Sequence, residues 1–219
     1  MDDQKHLIKK LDSFFAPFKE RQSQPGEILV RAGSNPTGIF YLTDGIVKQY
    51  AITQKGDEVI LNLYHHFAFF PMSWAINGTP NSYYFEAMTP VRTRQAPPAT
   101  FLEFLKNEPD ILYDLISRVF RGLDGLNLRL SFLLAGNTYA CLITELLITA
   151  KRFGQAINQG TSLQVTVNQK DIAAQSGMTR ETVGREMSIL KEKGLISFDH
   201  HILTIHDTSR LEKELYQSS

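Results

Sequence analysis

Val167–Gly194 reads VNQKDIAAQSGMTRETVGREMSILKEKG, two short helical patterns separated by a glycine. Asn168 is a good N-cap residue, and Asp171 three places on complements the positive end of the helix dipole. Ile172 and Ala173 supply a small apolar contact, after which Gly177 permits the left-handed backbone that ends a helix. Thr179 caps a second pattern in which Val183, Met187 and Leu190 recur at i, i+4 and i+7 and form one inward stripe. At about 100° per residue, Glu181, Arg185 and Ser188 fall on the opposite face. Arg180 stands in the open first turn, from which a long side chain reaches the same way.

Two guanidinium groups and a carboxylate at the N-terminal end of a slim helix suit base reading in the major groove of DNA. An arginine fork matches the O6 and N7 acceptors of guanine and a carboxylate accepts from the cytosine N4 amine, each good pair discriminating by roughly 1–3 kcal/mol. On an isolated helix the same residues would be an ordinary solvated face. Context decides between the two. The stretch is followed by Leu195–His206, LISFDHHILTIH, two short apolar runs around a polar turn, and the whole spells a winged helix-turn-helix.

The residues DIAAQSGMTRETVGREMSILKEKGLI resemble the recognition unit of the catabolite activator / fumarate and nitrate reduction regulator family of bacterial transcription factors. The resemblance implies that Arg180 and Arg185 read guanines and Glu181 reads cytosine. Thr179, Thr182, Ser188 and Lys170 would then hold phosphates, contacts that fix register without carrying sequence. It also implies a homodimer on double-stranded DNA, an inverted repeat with TGTGA-like half-sites, and RNA polymerase as a partner, with the 154–162 loop as a contact in relatives.

With 219 residues, 42% apolar and 21% charged, the chain has room for two ordinary globular domains. Its formal net charge is zero, so the nucleic-acid argument rests on local placement and not on a global positive field. The single cysteine, Cys141, excludes a self-contained disulfide framework and a four-thiolate cluster and points to a reducing compartment. MDDQKHLIKK lacks a signal-peptide core and the longest apolar runs are too short to span a bilayer, so a cytoplasmic protein without a membrane partner is expected.

Lys5–Phe18 has the spacing of a short amphipathic helix. From Gly26 to about Gln95, short runs of β-formers are broken at Pro25-Gly26, Gly33, Asp44-Gly45, Lys55-Gly56 and Asn77-Gly78, the pattern of an antiparallel roll. PGEILVRAGSNPTGIFYLTDGIVKQY resembles the cyclic-nucleotide-binding-like roll of the same family. FLEFLKN reads as a short helix, and Pro109 opens a longer one to about Leu134, with Ile111, Leu115, Val119, Leu123, Leu126, Leu130, Leu133 and Leu134 near heptad spacing. Such a helix must bury two sides, against the roll and against a second subunit, or else be a core helix within one chain. Gly122 and Gly125 suggest a close approach or a bend. Gly136-Asn137 reads as a hinge, Tyr139–Phe153 as a helix with Leu142, Leu146 and Ile148–Ala150 inward, residues 154–162 as a loop, and LQVTV as a strand. The expected class is α+β: an N-terminal antiparallel β-roll of jelly-roll type (1–108), a dimerisation helix with hinge (109–136) and a winged helix-turn-helix domain (137–219).

The family's cyclic-nucleotide members hold sugar and phosphate with a Gly-Glu pair and an Arg-Ser pair. Here Phe69-Phe70 and Asn81-Ser82 stand at those places, and Leu126-Asn127 stands where a polar pair on the long helix would meet the base. A buried phosphate needs a cation or several donors, and no arginine is offered, so cyclic AMP is not expected to bind in the family's way. Phe70, Trp74, Ser82, Tyr83, Leu126 and Asn127 are the candidates to line a pocket for a small apolar effector. Alternate strand residues of a filled roll point inward in any case, so a roll without a small ligand is the competing reading, with haem or another cofactor a third. No cofactor is assigned.

His65-His66 and His200-His201 invite a cupin-like metal-enzyme reading, but neighbours on a strand face opposite sides, and two ligands of one metal need i, i+2 spacing. Cys141 lies in an apolar helical stretch and reads as a buried small residue rather than a redox sensor or haem ligand. There is no nucleophile, base and orienting acid in a credible context, so no enzyme is expected. The alternative function is a non-catalytic, ligand-binding roll whose C-terminal module contacts protein.

Overall fold

A computed structural model describes residues 2–135, 137–157, 162–166, 168–199 and 202–217. The hinge residue Gly136, the middle of the 154–162 loop and the pair His200-His201 lie outside the described residues. The chain forms two compact units, Met1–Arg118 and Val119–Ser219.

The first unit runs α1 (Asp2–Phe15), β1 (Glu20–Ser23), β2 (Ile28–Val30), β3 (Ile39–Asp44), β4 (Ile46–Ile52), β5 (Glu58–His65), β6 (Phe69–Phe70), α2 (Met72–Asn77), β7 (Tyr84–Ala87), β8 (Val91–Ala96) and α3 (Pro98–Asn107), then enters α4 (Pro109–Leu134). Two antiparallel sheets of order β1-β8-β3-β6 and β2-β7-β4-β5 make the roll. Strand β3 shows why the run IFYL is apolar throughout. Phe40 and Leu42 point to a cluster shared by both sheets with Val47, Phe70, Phe85 and Val91, while Ile39 and Tyr41 point the other way, to Leu11 and Phe15 of α1, Phe101 and Leu105 of α3 and Ile111 of α4. A strand covered on both faces has no polar side to spare. Between β3 and β4 the turn depends on Gly45, at φ +90°, where a Cβ would stand 2.4 Å from the Pro90 carbonyl oxygen.

The second unit holds the C-terminal part of α4, α5 (Thr138–Phe153), β9 (Gln155–Ile157), β10 (Ser162–Thr166), α6 (Gln169–Ser176), α7 (Arg180–Glu192), β11 (Ile196–Asp199), β12 (Ile202–Ile205) and α8 (Thr208–Gln217). Its sheet has the order β11-β12-β10-β9. Leu142, Leu146, Ile172, Val183, Met187, Leu190, Leu203, Ile205, Leu211 and Leu215 form one core joining α5, α6, α7, α8 and the wing. Burying each such side chain is worth about 1.5–3 kcal/mol, enough to hold short helices that would be marginal alone. The last turns of α4 belong here: Phe132 packs on this core, and Arg129 Nη2 lies 2.8 Å from Oε2 of the buried Glu145 on α5.

Several expectations need correcting. Residues Gln155–Ile157 of the expected loop are strand β9, paired with β10. Ile148 is half-buried, whereas Cys141, Thr144 and Glu145 join the inward face of α5. The first helix ends at Phe15, close to its expected stop near Pro17, and α2, β1 and α8 were not anticipated. Gly122 faces open space and a Cβ on Gly125 would meet only Ile148 Cδ1 at 3.5 Å, so neither glycine provides clearance within the chain. The reading of α4 as a helix buried within one chain also fails. Ile116, Leu123 and Leu130 repeat every seven residues, as do Val119, Leu126 and Leu133, and all six are exposed, by 40–59%. No helix of the described residues is long and apolar enough to cross a membrane.

Candidate nucleic-acid interface

The cap residues fix both ends of the helix-turn-helix. Asn168 Oδ1 accepts from the Asp171 amide at 2.8 Å and starts α6, and Gly177 ends it at φ +69°. Thr179 Oγ1 accepts from the Thr182 amide at 3.2 Å and starts α7. Val183, Met187 and Leu190 are buried, which turns the opposite face of α7 outward. Arg180, Glu181, Arg185 and Ser188 are exposed there, as are Thr179 and Lys170, while Thr182 is half-buried. Three cations, one acid and three short hydroxyls thus lie on the outward side of a two-helix unit.

All three hydroxyls are already engaged. The Thr179 and Thr182 oxygens lie 3.0 Å apart at the cap, and Ser188 donates to the Gly184 carbonyl at 3.0 Å, so donation by Ser188 to a phosphate requires its hydroxyl to rotate. Helix α7 is tied to neighbouring helices at its C-terminal end and at its middle. At the C-terminal end Lys193 pairs with Glu214 of α8, which also accepts from Tyr139 Oη at 3.0 Å, and the Lys193 ammonium holds the Glu214 carboxyl below its ordinary range. At mid-helix the buried Glu186 accepts from Thr138 Oγ1 at 2.9 Å and from Arg185 Nη2 at 2.7 Å. Sequence reasoning missed Glu186. Its signal was a polar residue three places after Val183, at the border of the inward stripe, where a buried carboxylate must find donors.

Within the first unit, the candidate pocket residues Phe70 and Trp74 pack in different clusters. Phe70 is fully buried and stacks on Phe85 and Phe40 with centroids 5.0 and 5.6 Å away, filling the cluster between the sheets. Tyr83 packs at the edge of that cluster, whereas Trp74 packs on the helical side of the unit and donates Nε1 to Asn35 Oδ1 at 3.2 Å. Ser82 is exposed, and so are Leu126 and Asn127, in the second unit. Asn81 is buried and consumed by the backbone: its Nδ2 donates to the Arg31 and Tyr83 carbonyls at 2.9 and 2.7 Å.

Cys141 is fully buried beside the Ser176 carbonyl oxygen, and burial, with Glu145 adding, pushes its thiol up to about 11. Among the described residues no group of three or more His, Cys, Asp or Glu is placed to hold a metal ion. His66 packs at a tilt against the Phe67 ring with centroids 3.7 Å apart, and His65 Nδ1 lies 3.2 Å from the His66 carbonyl oxygen.

Residues 20–108 match the cyclic nucleotide-binding domain model and residues 141–214 match the Crp-like helix-turn-helix domain model, in the order in which the two units are built. The chain belongs to the catabolite activator / fumarate and nitrate reduction regulator (Crp/Fnr) family. Among similar members, the cAMP-activated global transcriptional regulator CRP of Pasteurella multocida is 25% identical over 82% of this chain and 86% of its own length. The fumarate and nitrate reduction regulatory protein of Salmonella typhimurium is 24% identical over 94% and 81%. In fold, the chain resembles a variant of CooA from Carboxydothermus hydrogenoformans at TM-score 0.77 and 17% identity, covering 93% of this chain and 90% of that one. This family member is therefore a transcription regulator with a DNA-binding helix-turn-helix, and its named relatives are regulators rather than enzymes.

Proposed function

We propose that the protein works as a homodimer that reads an inverted repeat with TGTGA-like half-sites through Arg180, Glu181 and Arg185. The observation that carries this reading is the outward placement of those three side chains, opposite the buried stripe Val183, Met187 and Leu190. Lys170, Thr179, Thr182 and Ser188 hold phosphates on either side and set the register. The exposed heptad seam of α4 supports dimerisation, since 3.5-residue spacing of apolar side chains is what a two-stranded coiled coil requires. On this reading residues 1–108 serve as the sensor roll, 109–136 as pairing helix and hinge, and 137–219 as the DNA-binding domain, with RNA polymerase the further partner in the cytoplasm.

The effector is not cyclic AMP held in the family's manner. Stacking of Phe40, Phe70 and Phe85 between the sheets and closure of the Asn81 amide onto the Arg31 and Tyr83 carbonyls support this reading, since a buried phosphate needs a cation or several free donors. The roll is a folded module whose aromatic interior needs no small ligand to complete it.

A duplex carrying two inverted TGTGA half-sites about one helical turn apart is expected to bind two chains, and to outcompete a scrambled duplex by about a thousandfold or more at physiological salt. Equal affinity for the two duplexes would contradict the proposal.

A further inference from the structure

Arg185 is 66% exposed at its side chain, yet its guanidinium is not free to roam. Nε and Nη2 both point at Glu186 Oε1, at 3.3 and 2.7 Å, although consecutive helix residues do not ordinarily face one another. The arginine side chain curls around the helix to make this contact. Glu186 itself is only 5% exposed, and the same oxygen accepts from Thr138 Oγ1 at 2.9 Å. Thr138 is the first residue of α5, so the carboxylate also stands at the positive end of that helix dipole. The oxygen that meets the arginine is thus held by a second donor, on α5.

The geometry has a chemical consequence for base reading. A guanidinium carries five N–H donors on two usable edges, the side edge Nε/Nη2 and the end edge Nη1/Nη2. Glu186 takes the side edge, and among the described residues Nη1 has no partner. We propose that Glu186 is a positioning residue for specificity: anchored by Thr138, it holds the side edge of Arg185 so that the end edge is presented to a guanine. Bidentate recognition needs the fork in one plane and one direction, and a buried, doubly bonded carboxylate supplies both restraints before DNA arrives. This inference rests on the base-reading role proposed for Arg185.

The test measures fluorescence-anisotropy affinities of the full-length chain for a duplex selected by the parent protein and for duplexes altered one base pair at a time in the half-site. Arg185→Ala identifies the base pair that Arg185 reads. Glu186→Ala is expected to weaken binding to the selected duplex by about tenfold and to flatten the preference at that base pair while leaving the others intact. In the Arg185→Ala background the same substitution is expected to add less than about twofold, because the two residues act as one unit. Glu186→Gln, which keeps an acceptor oxygen and the packing volume, is expected to fall between parent and alanine variant, and its preference at that base pair decides the matter should Glu186→Ala fail to fold. Thr138→Val is expected to reproduce the flattening in weaker form. Equal losses with Arg185 present or absent and preferences unchanged would make Glu186 a packing residue and overturn the proposal, as would tighter binding on its removal. A parent protein that selects no sequence would instead sink the base-reading role on which the inference stands.

Discussion

Arg185 and Glu186 stand side by side in the chain and are opposite in fate, one two-thirds exposed and the other almost wholly covered. The difference follows from the 100° step of the helix, which takes Arg185 away from the core formed by Val183, Met187 and Leu190 and Glu186 to its border. Arg185→Ala is expected to weaken binding to the cognate palindrome by roughly 1–3 kcal/mol per half-site and to relax preference at one base pair of each. Gel-shift titration against single-base variants checks this, and a uniform weakening on all sequences would count against direct readout. The outward face of α7 was legible in the sequence because periodicity alone orients a helix whose apolar stripe is clear. The Glu186 contacts were not, because Thr138 is 48 residues away and no local pattern announces which donors meet a buried acid. Asn81 is similar: the loss of an arginine could be read from sequence, but the use of the amide to tie Arg31 and Tyr83 backbone could not.

At the level of elements, helix ends were the most readable features, since Asn137, Asn168 and Thr179 each cap through their own side chains as their types require. The short pieces were unreadable. Strand β9 has three residues and α2 has six, too few for a period to show, and both are held by tertiary partners. Helix α4 carries two different surfaces. Ile111 and Leu115 turn to the roll, while the seam Ile116, Val119, Leu123, Leu126, Leu130 and Leu133 stays open in a single chain. Leu123→Glu combined with Leu130→Glu is expected to convert a dimer into monomers in sedimentation equilibrium while the far-ultraviolet circular dichroism stays unchanged. A variant that remains dimeric would remove α4 as the pairing surface.

The pair Arg129–Glu145 makes the end of α4 part of the DNA-binding unit, and both side chains are nearly covered, at 14% and 2%. Arg129→Ala leaves a buried acid without its cation and is expected to cost about 3–5 kcal/mol in urea unfolding at neutral pH. Burial raises the Glu145 carboxyl above its ordinary value, with Arg129 and Arg152 pulling the other way in part. A raised acid holds its proton more tightly when folded, so its stabilising contribution is complete below the unfolded value and is lost as pH rises through the folded one. Glu145→Gln mimics the protonated form at every pH, so its melting temperature is expected to gain on that of the parent as pH rises from the ordinary carboxyl range. A melting temperature that falls relative to the parent over that rise would reverse the sign of the argument.

On the scale of the whole molecule, the two matched family models and the two compact units agree that a roll precedes a helix-turn-helix. That order was legible because the period of the apolar residues changes from two to three and a half near residue 100. The nature of the signal was not legible, because aromatic residues in a roll serve as core and as pocket lining with the same spacing, and only the Phe40–Phe70–Phe85 stack distinguishes the two. Neutral overall charge likewise hid the partner, so the proposed DNA recognition rests on the local placement of a few side chains rather than on a broad field. The most direct measurement is selection of duplexes by the full-length protein from a fully randomised library at physiological salt, followed by sequencing. The account predicts an inverted repeat whose half-sites contain GTGA, with centres about 10–10.5 base pairs apart and two chains on each duplex. Recovery of unselected sequence, or of a single half-site bound by one chain, would contradict it.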